Sequence, residues 1–144
     1  MLSENEIVDF FSRVPLFRGL KKRQLESLAK VAHLDQFIEG DPIVAQGETG
    51  VGLYILVSGG ATVVHIRPDG AAPTVNVLRP TDFFGELALL SEGPRTASVV
   101  ASEETECLVI TRWNFLALAR KDAEMAVVIM EELARRFRAA LDIL

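Results

Sequence analysis

Residues 84–99 contain side chains that could together hold a small anion. Gly85 lets the backbone approach a ligand closely, because glycine has no β-carbon. The residues that follow predict a short helix, and the free N–H groups at a helix N-terminus suit a phosphate. Arg95, entering a predicted strand, can contact the same anion through a charge-assisted hydrogen bond. A phosphate would repel Glu86, in the first turn of that helix, so its carboxylate is better suited to accept hydrogen bonds from sugar hydroxyls. The segment therefore predicts a ligand with one phosphate beside a free hydroxyl.

The order of these residues resembles the phosphate-binding cassette of the cyclic nucleotide-binding domain family. Phe84-Gly85-Glu86-Leu87-Ala88-Leu89-Leu90, followed by Pro94-Arg95-Thr96-Ala97-Ser98-Val99, matches every position of that pattern. Residues 40–41, 46–48 and 53–59 resemble the family's early strands and turns, and residues 15–28 resemble its N-terminal helical segment. The resemblance implies that the ribose-phosphate is held by Gly85, Glu86, Leu87, Ala88 and Arg95, with Glu86 on the ribose 2′-hydroxyl.

Thr96 bears on the choice between cAMP and cGMP as the ligand. In the family a hydroxyl at this position can bond a guanine in the syn conformer, whereas alanine there usually accompanies a preference for cAMP. Family members with threonine also bind cAMP, and threonine is an ordinary strand residue as well. We expect cAMP as the ligand, with cGMP permitted.

The same resemblance predicts the walls of a base pocket. Val63 and Leu78 occupy positions where family members pack the purine. Counted from Arg95 without gaps, Arg136 and Phe137 fall where the family's last helix covers the base. Arg136 could stack on the purine through its guanidinium plane. The alternative is a surface arginine beside a core phenylalanine.

The composition limits the other functions that the chain could have. A chain of 144 residues with 49% apolar residues is expected to form one domain, 1–144, and its net charge of −5 argues against sequence-independent binding of nucleic acid. His33 and His65 are far apart and Cys107 is the only cysteine, so we expect no metal site and no cofactor. No nucleophile-elbow or P-loop spacing occurs, and we predict that the protein is not an enzyme.

No apolar run approaches the roughly 20 residues that cross a bilayer. The N-terminus, Met1-Leu2-Ser3-Glu4, resembles neither a secretory signal nor a transit peptide. A cytoplasmic protein without a membrane segment is the expectation.

The predicted fold is mainly β with flanking helices, an antiparallel, jelly-roll-like β-roll. N-terminal helices are expected within residues 1–33, the first of them opened by a capping box at Ser3 and Glu6. The roll should span 34–111 and contain the short cassette helix, and C-terminal helices should fill 112–144, the last beginning near Asp122 and running to the end. Short β-branched runs between turn residues predict the strands at 34–38, 42–46, 52–57, 61–67, 74–78, 95–101 and 106–111.

The last helix carries six consecutive apolar residues, 125–130, which cover more than one helical face. Either the N-terminal helices or a second chain must cover the remaining face, and we expect a homodimer through this helix.

We interpret the chain as a cyclic nucleotide sensor whose last helix closes over the ligand. Three alternatives remain open: the sensor half of a transcription regulator, the cytoplasmic end of an ion channel, or an interaction module without a ligand. The downstream partner and the affinity do not follow from the sequence.

Overall fold

The computed structural model describes residues 2–142, so the predicted continuation of the last helix to residue 144 lies outside the described residues. The helices are α1 (Glu4–Phe11), α2 (Lys22–Val31), α3 (Leu87–Leu90), α4 (Arg112–Lys121) and α5 (Ala123–Asp142), with a 3-10 turn at Pro15–Phe17. The strands are β1 (His33–Phe37), β2 (Pro42–Val44), β3 (Gly52–Ser58), β4 (Ala61–Val64), β5 (Thr74–Leu78), β6 (Phe83–Phe84), β7 (Ser98–Ala101) and β8 (Thr105–Thr111).

The chain forms two compact units. The strand unit comprises Ala32–Trp113, and the helical unit comprises the residues up to Val31 together with those from Asn114 onward. The expectation of a single domain, with boundaries at 33/34 and 111/112, stays a prediction.

The strand unit is built from two four-stranded antiparallel sheets, with strand orders β1-β8-β3-β6 and β2-β7-β4-β5. Along the two longest strands, β3 and β8, buried residues follow one another instead of alternating, so side chains on both faces of these strands are covered. Side chains from the two sheets form a core that contains Ile43, Leu56, Ala61, Leu78, Phe84, Val99, Ala101 and Cys107. The predicted antiparallel β fold with flanking helices is confirmed.

In the helical unit, both predicted helix starts are present. Ser3 caps α1, and the capping box with Glu6 has both of its hydrogen bonds, at 3.2 and 3.1 Å. At the start of α5, the Met125 amide donates to Oδ1 of Asp122 at 3.1 Å. Gln24 Nε2 and Arg23 Nη1, near the start of α2, also donate to the Asp122 carboxylate. These contacts fix the beginning of α5 to the N-terminal helices.

Three predicted strands were too long and one strand was not predicted. The strand predicted at 42–46 ends at Val44. The strand predicted from Arg95 begins only at Ser98, because Arg95 pairs with a different segment: its amide donates to the Glu48 carbonyl at 2.7 Å, beside an isolated antiparallel bridge between Thr49 and Pro94. β4 ends at Val64 rather than at residue 67, because its pairing with β5 shifts register between Val63 and Val64. Beyond that shift the His65 and Arg67 amides still bond across the hairpin, to the Pro73 and Ala71 carbonyls. β6 was missed, since two residues are too short to show a period.

Candidate functional site

A cavity of about 370 Å³ opens in the strand unit. This volume lies within the roughly 300–1,000 Å³ of small-molecule sites. Its lining comes from β2, β4, the β6–α3 segment and the segment before β7: Val44, Gly50, Val63, Phe84, Gly85, Glu86, Leu87, Ala88, Ser91, Glu92, Gly93, Pro94, Arg95, Thr96, Ala97 and Val99. The residues predicted to hold a ribose-phosphate are therefore brought together in one cavity, along with Thr96 and Val63.

Gly85 is required by both its conformation and its surroundings. Its φ is +81°, a region that residues with a β-carbon rarely adopt. A β-carbon there would also collide with Nη1 of Arg95 and would lie 2.7 Å from the Gly52 carbonyl oxygen. The Arg95 guanidinium thus occupies the space that a side chain at position 85 would fill.

Two further glycines surround the Arg95 side chain. A β-carbon on Gly50 would lie 3.0 Å from Nε of Arg95, and one on Gly52 would lie 2.7 Å from the Ile110 carbonyl oxygen. Nη2 of Arg95 donates to the Gly52 carbonyl at 3.0 Å. We call Gly50, Gly52 and Gly85 the glycine cradle. At Gly50 and Gly85 a side chain would hold the guanidinium away, whereas Gly52 contributes its carbonyl oxygen.

Arg95 has no acidic partner in the part of the chain that the structure describes: none of the ion pairs of residues 2–142 includes it. The sequence left open that Arg95 is a surface arginine paired to a carboxylate, and this geometry does not support that alternative. Burial lowers the pKa of the half-buried guanidinium, while Tyr54 and Glu86 act in the opposite direction. An arginine nevertheless stays charged in proteins. The cavity therefore contains a cation that is partly desolvated and forms no ion pair with a carboxylate of residues 2–142.

An aromatic pair, Tyr54 and Phe84, lies beneath this cation. The two rings stack with their centroids 5.1 Å apart and their planes within 10° of parallel. The Arg95 Cζ lies 5.7 Å from the centroid of the Tyr54 ring, within the range of a cation–π contact. Burial raises the pKa of Tyr54, and the Arg95 charge partly offsets that rise.

Glu86 occupies a different position from the one predicted. It is the N-cap of α3, a helix of one turn, rather than a residue of its first turn, and its side chain makes no capping hydrogen bond. Helix stabilisation therefore does not explain a carboxylate here. The half-buried side chain lines the cavity beside Gly85 and is suited to accept hydrogen bonds from a ligand.

The remaining predicted residues lie in different places. Thr96 is exposed and Val63 half-buried, and both line the cavity. Leu78 is 5% exposed and belongs to the core of the strand unit, so the cavity wall as it stands does not include it. Arg136 and Phe137 lie on α5 in the helical unit, where the Phe137 side chain is exposed rather than packed in the core.

Sequence reasoning missed three residues that surround Arg95, namely Gly50, Gly52 and Tyr54. The only available signal was the pair of glycines that flank Val51 just before an apolar strand. Nothing in that pattern indicates which distant residue will approach so closely.

Residues 2–142 show no metal site, no reactive thiol and no membrane-spanning helix. No group of three His, Cys, Asp or Glu side chains in this range could hold a metal ion. Burial raises the pKa of the Cys107 thiol to about 12, so it stays protonated and unreactive at neutral pH. None of the helices in this range is both long and apolar enough to span a bilayer.

Comparisons with known proteins agree with this geometry. The sequence profile of the cyclic nucleotide-binding domain matches residues 34–122. The cyclic AMP receptor protein of Thermus thermophilus is 38% identical over 126 residues, which is 88% of this chain and 58% of that protein. The chain thus spans less than two thirds of that relative.

Two solved structures have the same fold. The N-terminal domain of a transcriptional regulator from Streptomyces coelicolor A3(2) superposes with a TM-score of 0.83 at 29% identity, covering 93% of this chain and 96% of that one. The regulatory domain of Toxoplasma gondii PKA, crystallised with cAMP, gives a TM-score of 0.82 at 27% identity, covering 94% of this chain and 50% of that one.

The profile and the relatives describe ligand-binding regulatory domains, which confirms the prediction that this chain is not an enzyme. Because the profile match covers more than half of the chain, from the start of the predicted strand region to the end of α4, the chain belongs to the cyclic nucleotide-binding domain family.

Proposed function

We propose that this chain is a sensor domain that binds cAMP in the cavity of the strand unit. The observation that carries the proposal is the Arg95 guanidinium, half-buried in the glycine cradle and without a carboxylate partner among residues 2–142. A cyclic nucleotide supplies the missing anion, a phosphodiester with one negative charge. Glu86 accepts a hydrogen bond from the ribose 2′-hydroxyl, and the amides around Gly85, Leu87 and Ala88 complete the phosphate contacts.

The choice of cAMP over cGMP has support from the relatives. The Thermus protein is named for cyclic AMP, and the Toxoplasma domain was crystallised with it. Thr96 is exposed in the cavity and could donate its hydroxyl to a guanine, so cGMP is the second candidate ligand.

Calorimetric titration with both nucleotides tests the choice. We expect cAMP to bind more tightly than cGMP, and the Thr96→Ala substitution to weaken cGMP binding while leaving cAMP binding unchanged. Absence of heat with either nucleotide would reject the proposal and favour a ligand-free interaction module.

Ligand binding is proposed to close α5 over the base. Leu87 and Leu90 on α3 are 65% and 46% exposed, and Phe137 on α5 is 66% exposed, so each unit presents apolar surface that closure would bury. Val63 would form the wall behind the purine, backed by the core residue Leu78, with Arg136 and Phe137 in front of it. A ligand favours the closed state only through contacts that the open state lacks.

Hydrogen exchange of α5 with and without cAMP tests closure. We expect slower exchange around Arg136 and Phe137 in the complex, and at least fivefold weaker binding by Phe137→Ala. Unchanged exchange throughout α5 at saturating cAMP would contradict closure.

α5 is also the proposed homodimer interface. Met125 and Ile129 are buried in the helical unit, while a second stripe along the helix stays exposed. Its members follow a spacing of three and four residues, which is the spacing of a coiled-coil seam: Val127, Met130, Ala134, Phe137 and Leu141.

Sedimentation at micromolar concentration tests the interface. Met130→Glu should convert a dimer to a monomer, whereas Glu131→Lys, a charge change outside the stripe, should not. A wild-type chain that sediments as a 15.8 kDa species would contradict the proposal.

The output of the sensor is proposed from the regulators that it resembles. The likeness to a transcriptional regulator's N-terminal domain covers 96% of that structure, which favours the sensor half of a regulator over the cytoplasmic end of a channel. Attaching a DNA-binding domain to α5 and measuring operator binding with and without cAMP would test this output.

A further inference from the structure

The Arg95 guanidinium needs support that the backbone alone does not give. Its one hydrogen bond among residues 2–142 runs from Nη2 to the Gly52 carbonyl, and it has no carboxylate to fix its plane. A long side chain held at one point samples other rotamers, and ordering it on binding costs free energy.

The Tyr54 ring supplies a second point of support. It lies 5.7 Å from Cζ of Arg95, and the ring is itself held by stacking on Phe84 and by the backbone pairing of these two residues across β3 and β6. Phe84 directly precedes Gly85. One aromatic pair therefore connects the arginine to the start of the cassette.

We propose that Tyr54 is a positioning residue for the anion site, and this inference rests on the proposed function. The ring holds the guanidinium plane so that Nη2 stays on Gly52 and the other N–H donors point to the ligand phosphate. It does so through its π face, so the hydroxyl group is not required. Tyr54 itself is not among the residues that line the cavity.

The affinity of cAMP for single and double variants tests the role. Tyr54→Leu should weaken binding about five- to tenfold, the range of a partly desolvated cation–π contact, and Tyr54→Phe should bind as the wild type does. In an Arg95→Met background, Tyr54→Leu should change the affinity less than twofold. A purely structural role would give the same factor in both backgrounds and would overturn the proposal.

Phe37→Leu is the matched control for the loss of an aromatic ring. Phe37 is half-buried against the same core, and it does not line the cavity. The Phe37→Leu substitution should lower the thermal stability as Tyr54→Leu does, but it should leave the affinity for cAMP unchanged. An equal loss of affinity in both variants would mean that general loosening of the core, and not the ring beneath Arg95, is responsible.

A measurement without ligand separates this inference from the proposed function. The Arg95 side-chain Nε–H resonance, assigned by its loss in Arg95→Met, should be shifted upfield by the Tyr54 ring, and Tyr54→Leu should remove that shift. A resonance that does not move would overturn the positioning role even if cAMP binds. A resonance that moves while no nucleotide binds would support the role of Tyr54 and reject only the proposed ligand.

Discussion

The Arg95→Met substitution should weaken nucleotide binding strongly and leave the stability of the fold nearly unchanged. In the ligand-free protein the guanidinium is half-buried and has no ion-pair partner among residues 2–142, and burial already lowers its pKa. An unpaired, partly buried charge does not stabilise the folded state, so its removal should leave the melting temperature nearly unchanged. In the complex, truncating one member of a buried charge pair costs roughly 2–5 kcal/mol. Because Arg95 stays partly exposed, we expect the lower part of that range, a loss of roughly 30- to 100-fold in affinity.

Thermal unfolding with and without cAMP measures both effects in one experiment. Ligand at one hundred times its Kd stabilises the wild type by about 2.7 kcal/mol, and a hundredfold weaker variant retains about 0.4 kcal/mol at the same concentration. For a chain of this size the Tm rise should therefore fall from roughly 5–10 °C to about 1 °C. Arg67→Met, at an exposed arginine of the β4–β5 hairpin, is the control and should keep the full rise. A variant that keeps its ligand-induced rise, or that melts far below the wild type without ligand, would refute the reasoning.

Three further predictions concern Glu86, Gly85 and Asp122. Calorimetry should show that 2′-deoxy-cAMP binds about tenfold more weakly than cAMP, which is the contribution of one charged hydrogen bond. The Glu86→Ala variant should bind both nucleotides equally. Equal binding of the two by the wild type would contradict the ribose contact. The Gly85→Ala substitution should weaken nucleotide binding more than tenfold, because the new β-carbon meets Arg95. The Gly70→Ala substitution, at a similarly positive φ and with nothing within 4 Å of the new β-carbon, should lower the stability alone. The Met125 amide, Gln24 and Arg23 lower the pKa of Asp122 below 3.8, so its contribution to stability is complete above that pH and is lost as the pH falls through the lowered pKa. The difference in Tm between wild type and Asp122→Asn should therefore be present at neutral pH and shrink in acid; a constant difference would mean that the charge is not involved.

The sequence predicts what is local and misses what two distant segments create together. The capping box at Ser3 and Glu6 and the order of residues in the cassette are local patterns, and both helix α1 and the clustered lining of the cavity follow from them. Arg95, by contrast, leaves the predicted strand because its backbone pairs with Glu48, which is far from it in sequence. Its contact with Gly52 joins residues 43 positions apart, and no periodicity encodes such a contact.

Phe137 links the two proposals that involve α5. It belongs both to the exposed stripe proposed as the dimer seam and to the face proposed to cover the base, because at about 100° per residue it lies on the border between them. A side chain that is already packed against a partner helix loses less freedom when it also contacts a ligand, so the dimer would favour closure. Linkage requires that cAMP then strengthens the dimer by the same factor by which the dimer strengthens cAMP binding. Under these two proposals the nucleotide affinity depends on the oligomeric state, so closure and dimerisation should be measured with protein concentration and cAMP concentration varied together.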